Sequence, residues 1–272
     1  MSTALLIVGD THCNSRLGLC PPAFNLKDGG TYKPNKTQRW LWDCWIELSE
    51  VFATISAECE RNGILFMGDM VDADIKSRSH QIITRNTSEI VDIAAQCIEP
   101  MLVHADWAVF LKGTPSHVGK SAEIEEELAS DCTLAQKNGE NNYAWDLFYG
   151  MVGKVIVEAK HHGKLGYRRW TKTNPLHVLA EELPAEYIAR REKPPQLAFR
   201  AHKHQHRDTW DNHPITRAVS TFAFCGTGEY GYTVSDELPD IGGLILIADG
   251  GQYELKKKPF PIPQRKLWKI SV

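Results

Sequence analysis

The chain has 272 residues, 42% of them hydrophobic and 24% charged, enough to bury a sizeable core and unlike a disordered or fibrous sequence. A net charge of −3 and a pI near 6.4 exclude polyanion binding by bulk charge, although "HHGKLGYRRWTK" and "KKKPFPIPQRKLWK" are locally basic. Seven cysteines with no CxxC pair argue against a cysteine zinc site and for free thiols in a cytosol-like compartment. No apolar run of membrane-spanning length and no signal peptide is read, so a membrane partner is not expected.

Elements follow in alternation. "ALLIV" (4–8) predicts a first strand, and the polar, Gly/Pro-containing stretch from 13 to 37 predicts a long loop, a lid or substrate loop by its length. Apolar residues at helical spacing predict a helix over 37–63, with Gly63 as its stop, and "ILFM" (64–67) a second strand. A helix over 79–99 ended by Pro100 comes next, then a strand over 107–112 and a short acidic helix over 122–130. Strands are predicted at 154–159, 196–201, 218–225 and 243–248, with "QYELKKKPF" after them. Strand-helix alternation followed by a strand-rich half predicts a layered α/β protein, read as a single domain over 1–272.

The residues just after these strands carry the functional signal. "GDTH" brings Asp10 and His12, "GDMVD" brings Asp69 and Asp72, and "GTPSH" brings His117. "HHG" brings His161 and His162, and "AHKHQH" brings His202, His204 and His206. An HxH spacing alone is weak, since about 0.4 occurrences are expected by chance with this many histidines. Five successive strand ends bearing Asp or His are not, because sites in α/β sheets gather where the carboxyl ends of strands meet. Carboxylate and imidazole suit divalent transition ions, and a pair of ions needs a bridging carboxylate to clamp a phosphoryl group. Alternation along an extended strand exit predicts that His202 and His204 point to one side. His80, His104, His177 and His213 lack this context and read as ordinary polar residues.

With these residues in view, the chain resembles the calcineurin-like metallophosphoesterases, whose pattern runs DxH, GDxxD, GNH, a lone histidine and GHxH. The resemblance spans Asp10 to His204, and the "GTPSH" turn in place of GNH looks similar to phosphoesterases among phage proteins. It implies a four-layer α/β/β/α sandwich of two mixed sheets flanked by helices, with two divalent ions at one edge. Manganese is the first choice, with iron, zinc, nickel, magnesium and cobalt as alternatives. Carried over, Asp10, His12 and His204 would hold the first ion, Asp69 would bridge, and His202 with His161 would hold the second. His162 is the alternative to His161, and Asp72 a supporting residue. Ala201 stands where the family has glycine.

The departure lies in the turn, where the family's asparagine is missing. Thr114, next to the glycine, and Ser116, next to the histidine, are the two residues that could take its place, and His117 would serve as the catalytic histidine facing the phosphate. A hydroxyl is a poorer ligand than an amide oxygen, so the second metal site is expected to be the weaker one. The implied activity is hydrolysis of a phosphate ester by a metal-bridging hydroxide, a phosphodiester before a monoester. A DNA or RNA nuclease is one form of it, with Tyr167, Arg168 and Arg169 as substrate-binding residues and Trp170 and Trp268 as stacking faces. A nucleotide phosphodiesterase, a phosphomonoesterase or protein phosphatase, and a metal-dependent scaffold are the alternatives. A cytoplasmic location is expected, the host cytoplasm if the chain is phage-encoded.

Overall fold

The computed structural model describes residues 2–75, 81–227 and 237–263. In chain order they form β1 (Thr3–Val8), a small hairpin of β2 (Phe24–Asn25) and β3 (Thr31–Tyr32), α1 (Lys36–Ser56), β4 (Arg61–Phe66), α2 (Thr87–Leu102), β5 (Trp107–Leu111), a four-residue turn α3 (Pro115–Val118) and α4 (Glu123–Asp131). The second half adds β6 (Ala144–Trp145), β7 (Phe148–Val152), β8 (Val155–His162), α5 (Asn174–Ala189), β9 (Leu197–Ala201), β10 (Arg207–Asp208), β11 (Arg217–Ser220), β12 (Ile241–Asp249) and β13 (Gln252–Phe260). One sheet has the order β13-β12-β1-β4-β5-β6 and the other β10-β11-β9-β8-β7. Both are mixed: β1, β4 and β5 run parallel while β12 is antiparallel to β1, and β8 is parallel to β9 but antiparallel to β7.

Side-chain alternation explains the layering. β1 is buried along its whole length. Ala4, Leu6 and Val8 face the core shared with α1, α2 and α4, whereas Leu5 and Ile7 face the second sheet. A strand buried on both sides reads as a continuous apolar run. The inter-sheet core joins Leu65, Met67, Val109 and Leu111 to Val157, Phe199 and Val219. On the outer face of the second sheet, Ala198 and Ala218 meet Leu176, Ala180, Leu183 and Tyr187 of α5. The layers are therefore helix, sheet, sheet, helix, as expected.

Several boundaries differ from expectation. The helix predicted over 37–63 ends at Ser56, because 61–66 pairs with β1 in parallel register. Gly63 is a strand residue and not a helix stop; a Cβ there would lie 2.2 Å from the Trp107 indole. α2 starts only after Asn86, whose side chain accepts from the Ser88 N–H at 3.1 Å, and it continues past Pro100 to Leu102. Residues 81–84 instead run along the loop after β1, with Thr84 N–H held by Asn14 Oδ1 at 2.9 Å. β11 stops at Ser220, short of the predicted 225, and β7 and α5 were not foreseen. α5 escaped notice because Pro175 and Pro184 interrupt its helical reading. The 13–37 stretch is anchored, with Cys13, Leu19, Cys20 and Phe24 buried and the Lys27 N–H bound to Glu89 of α2 at 2.6 Å.

Among the described residues no helix is long and apolar enough to cross a membrane. Asp208 ties the edges of the two sheets together. It takes both Arg217 Nε at 2.9 Å and Nη2 at 2.8 Å, and Lys257 Nζ of β13 at 2.8 Å. Burial alone would raise its pKa, but these donors bring it down to about 2. A depressed carboxylate contributes stability above its unfolded pKa and loses it as pH falls through the folded one. Asp208→Asn should therefore cost about 1–2 kcal/mol at pH 7. In urea titrations that difference should shrink to nothing as the pH falls from about 4 towards 2.

Candidate metal centre

Five loops meet at the carboxyl ends of β1, β4, β5, β8 and β9, and backbone bonds hold the first two together. Asp10 N–H donates to Gly68 O and His12 N–H to Asp69 O, each at 2.9 Å. Asp10, His12, Asp69, His202 and His204 all have positive φ, between 43° and 71°. Non-glycine residues in this region cost free energy, and a cluster of them marks a site where the fold imposes geometry for function. His202 and His204 therefore do not leave β9 as an extended strand, and the expectation that they share one side is corrected. The left-handed turns aim them at different clusters. Gly68, at φ 89°, and Gly113 give the loops room; a Cβ on Gly113 would lie 2.3 Å from Asp69 Oδ1.

Two groups of side chains result. In one, His12 Nε2 lies 3.1 Å from His204 Nε2, and His204 Nε2 lies 3.5 Å from Asp10 Oδ1. In the other, His161 and His202 converge with His162 beside them. Asp69 sits between, its Oδ2 3.0 Å from His161 Nε2 and 4.0 Å from His202 Nδ1, while it also groups with His12 and with Asp10. Asp10 and Asp69 are buried, whereas His202 and His204 are about a quarter exposed at 29% and 26%. The floor is closed and the roof open, as a site that admits substrate requires.

The residues predicted from sequence divide clearly. His161 is buried, with Nδ1 fixed 2.8 Å from Met67 O so that Nε2 points at Asp69; His162 is exposed at the rim. Thr114 and not Ser116 enters the cluster. Its Oγ1 lies 2.9 Å from Asp69 Oδ2, 3.2 Å from His161 Nε2 and 3.1 Å from His202 Nδ1, and its N–H donates to Asp69 Oδ1 at 2.6 Å. Asp72 stands behind, with Oδ1 3.0 Å from His117 Nδ1. His206 is not part of the centre: its ring stacks on Phe222 and its Nδ1 lies 2.8 Å from Ser220 O. Tyr167, Arg168 and Arg169 follow β8 at the surface, and among the described residues none belongs to either cluster; Arg168 lies over the Trp170 ring and Arg169 pairs with Glu237. His177 pairs with His213 at 2.8 Å, and among the described residues neither joins these groups; His80 and Trp268 lie outside the described residues.

Electrostatics fit cations at both groups. Burial raises the Asp10 and Asp69 carboxyls, but His204 and His161 outweigh it and keep both acids below the ordinary carboxylate range. Burial and the neighbouring His117 charge push His12 down to about 4, so it is a neutral imidazole ready to ligate. His161 is driven the other way: burial opposes its charge, yet Asp69 lifts it to about 10. An ion placed there displaces that proton, so affinity rises with pH. Asp10 Oδ1 is fully buried without a hydrogen-bond donor, a cost a protein seldom bears unless another ligand satisfies the oxygen. Paired clusters of Asp and His with a shared carboxylate suit a dinuclear divalent site.

The layer order and the five strand ends agree with the expected architecture. The chain has the four-layer sandwich that the resemblance to the calcineurin-like metallophosphoesterases implies. No protein-family model matches the chain, and no curated protein does. Among solved structures it is similar to Vps29 of Chaetomium thermophilum, at 9% identity, covering 94% of this chain and 95% of that one with a TM-score of 0.46. A conserved uncharacterized protein of Streptococcus pneumoniae, described as a predicted phosphoesterase, gives 8% identity over 95% and 99% of the two chains, TM-score 0.36. The NAD nucleotidase of Haemophilus influenzae gives 9% identity over 95% of this chain and 50% of that one, TM-score 0.41. At these values the four-layer architecture rests on the chain's own topology.

One residue beneath the centre escaped the sequence reading. Glu125 of α4 is fully buried, with Oε1 accepting the Met70 N–H at 2.9 Å and Oε2 the Gly113 N–H at 2.5 Å. It joins the loop carrying Asp69 to the loop carrying Thr114. Burial, reinforced by the Asp69 charge, raises it to about 7. Its signal was its place beside Ile124 and Leu128 on the apolar face of an otherwise acidic helix. Glu125→Ala leaves two buried donors unpaired and should cost about 2–5 kcal/mol in urea unfolding. Glu125→Gln, which keeps one acceptor oxygen, should recover part of that loss.

Proposed function

We propose that the chain is a dinuclear-metal-dependent phosphoesterase that acts on a phosphodiester in preference to a monoester. The observation that carries this reading is the Asp69 carboxylate, set between two Asp/His groups on an open edge with a histidine facing in. Asp10, His12 and His204 would hold one ion, His161 and His202 the other, and Asp69 both. Two divalent ions held there would lower the pKa of bound water and polarise a phosphoryl group. Manganese is the favoured pair; the donor set also takes zinc, iron, nickel or cobalt, with magnesium less suited.

The protein's own groups complete the site. His117 is about a third exposed at 32% and faces the same opening. Burial works against its charged form, but the hydrogen bond it donates to Asp72 raises its pKa above the ordinary imidazole value. Asp72 thus keeps a proton on His117 and fixes its ring, so His117 can steady the phosphate and protonate the departing oxygen. A ring edge-on to His12, centroids 4.6 Å apart, holds it beside the first group. Thr114 supplies a hydroxyl where the family has an amide oxygen, so the second ion is held less tightly.

With Mn²⁺ added, the native chain should hydrolyse bis-(p-nitrophenyl) phosphate faster than p-nitrophenyl phosphate. His117→Ala should lose about 10²–10⁴-fold in kcat, and Asp69→Asn should abolish turnover. No hydrolysis of either ester would leave a metal-dependent scaffold and contradict the proposal. Calorimetric titration of the metal-free protein should show one tight and one weak Mn²⁺ site, and Thr114→Asn should tighten the weak one. Two equally tight sites in the native chain would contradict the role given to Thr114.

A further inference from the structure

Beside the second group lies a cleft of about 490 Å³ that the reaction as described does not use. His161 and His162 form one wall, Pro115 and the turn at Gly119 the other, and Lys112, Lys120 and Lys160 line it. We propose that this cleft is a subsite for a second phosphate of the substrate, one linked to the ester being cut. The inference rests on the phosphoesterase reading and adds the class of substrate: a phosphodiester carrying a neighbouring phosphate group.

Charge is the first argument. Lys112, Lys120 and Lys160 line one cleft, and like charges gathered in one place repel. One carboxylate, Asp146, also lines the cleft and pairs with Lys112 at 2.9 Å. Among the described residues no carboxylate pairs with Lys120 or Lys160. An anion bound between them removes the repulsion that the empty arrangement suffers. Volume is the second argument, since the cleft has the size of a small-ligand pocket and holds far more than a lone phosphate ion.

Position is the third. His161 belongs both to the second metal group and to the wall of the cleft, so a substrate phosphate at the centre has the cleft as its immediate neighbour. Lys160, His161 and His162 end β8 where the strand register against β9 shifts between Lys160 and His162. Such an irregularity turns a strand end and re-aims its side chains. On the opposite wall, Glu123 accepts the Ser121 N–H at 2.9 Å, which fixes the turn that carries Lys120. The lysines are thus mounted on two anchored elements facing across the space.

The second phosphate has two sources, the adjoining internucleotide phosphate of a strand or the terminal phosphate of a small nucleotide. Competition against 5′-fluorescein-labelled (dT)12, read by anisotropy in EDTA so that nothing is hydrolysed, separates them with TpT, pTpT and unlabelled (dT)12. In the native chain a ligand with a second phosphate should bind at least about threefold more tightly than TpT. Lys120→Ala with Lys160→Ala should bring that ratio close to one, and Lys120→Arg with Lys160→Arg should keep it. For (dT)12 the double alanine variant should also flatten the log–log salt slope by about 0.7, the loss of one single-strand phosphate contact. A gain shared by pTpT and (dT)12 supports a small-nucleotide phosphate, and a gain confined to (dT)12 supports a strand. Equal binding of TpT and both other ligands, or a ratio the alanines leave unchanged, would overturn the subsite. Failure to hydrolyse bis-(p-nitrophenyl) phosphate would instead strike the phosphoesterase reading, because this binding ratio does not depend on turnover.

Discussion

The carboxylate of Asp69 is the point on which the arrangement turns. It is buried at a left-handed residue after Gly68, takes the N–H and the hydroxyl of Thr114, and faces His161 at 3.0 Å. A buried carboxylate with only imidazoles and hydroxyls around it is expensive unless positive charge is brought to it. In the metal-free chain a protonated His161 does this, and two ions would do it more fully. The same carboxylate therefore explains the raised His161 and the imidazoles gathered around it.

The layers exist to hold those loops still. β1 and β4 are parallel and sealed on both faces, so their ends cannot shift without disturbing two cores. Glu125 then ties the β4 and β5 loops from below, while Phe224 N–H reaches Asp10 O at 3.1 Å from the far side. Sites built on the ends of rigid elements keep their geometry within the narrow tolerance catalysis needs. Exposure rises at the rim, at Thr114, His117, His162, His202 and His204, where a substrate would enter.

Much of this was legible in the residues. "GDTH", "GDMVD" and "AHKH" named the Asp and His positions because each closes an apolar run, and loops after parallel strands converge. The choice of Thr114 over Ser116 was not legible, since it depends on a backbone turn that places one hydroxyl and turns the other away. The splitting of His202 and His204 between two clusters was implied by the family resemblance and not by alternation, which assumes an extended chain, whereas both residues are left-handed. Glu125 looked like one more acid on an acidic helix until its buried face was known. α5 was hidden by two prolines, and the first helix was drawn too long because the 61–66 strand continues its apolar pattern. Local pattern located the chemistry, and tertiary contacts decided which atom meets which.

The rim also gives the centre its setting. Lysines border the second group, while Arg207, joined to Asp240 at 3.1 Å, stands near the first, whose His204 O accepts the Asp240 N–H at 2.8 Å. The most direct test of the central claim is anomalous diffraction from crystals grown with Mn²⁺. Two peaks are predicted, one among Asp10, His12 and His204 and one between His161 and His202, with Asp69 touching both. A single ion, or ions that leave Asp69 outside their ligand shells, would contradict the account.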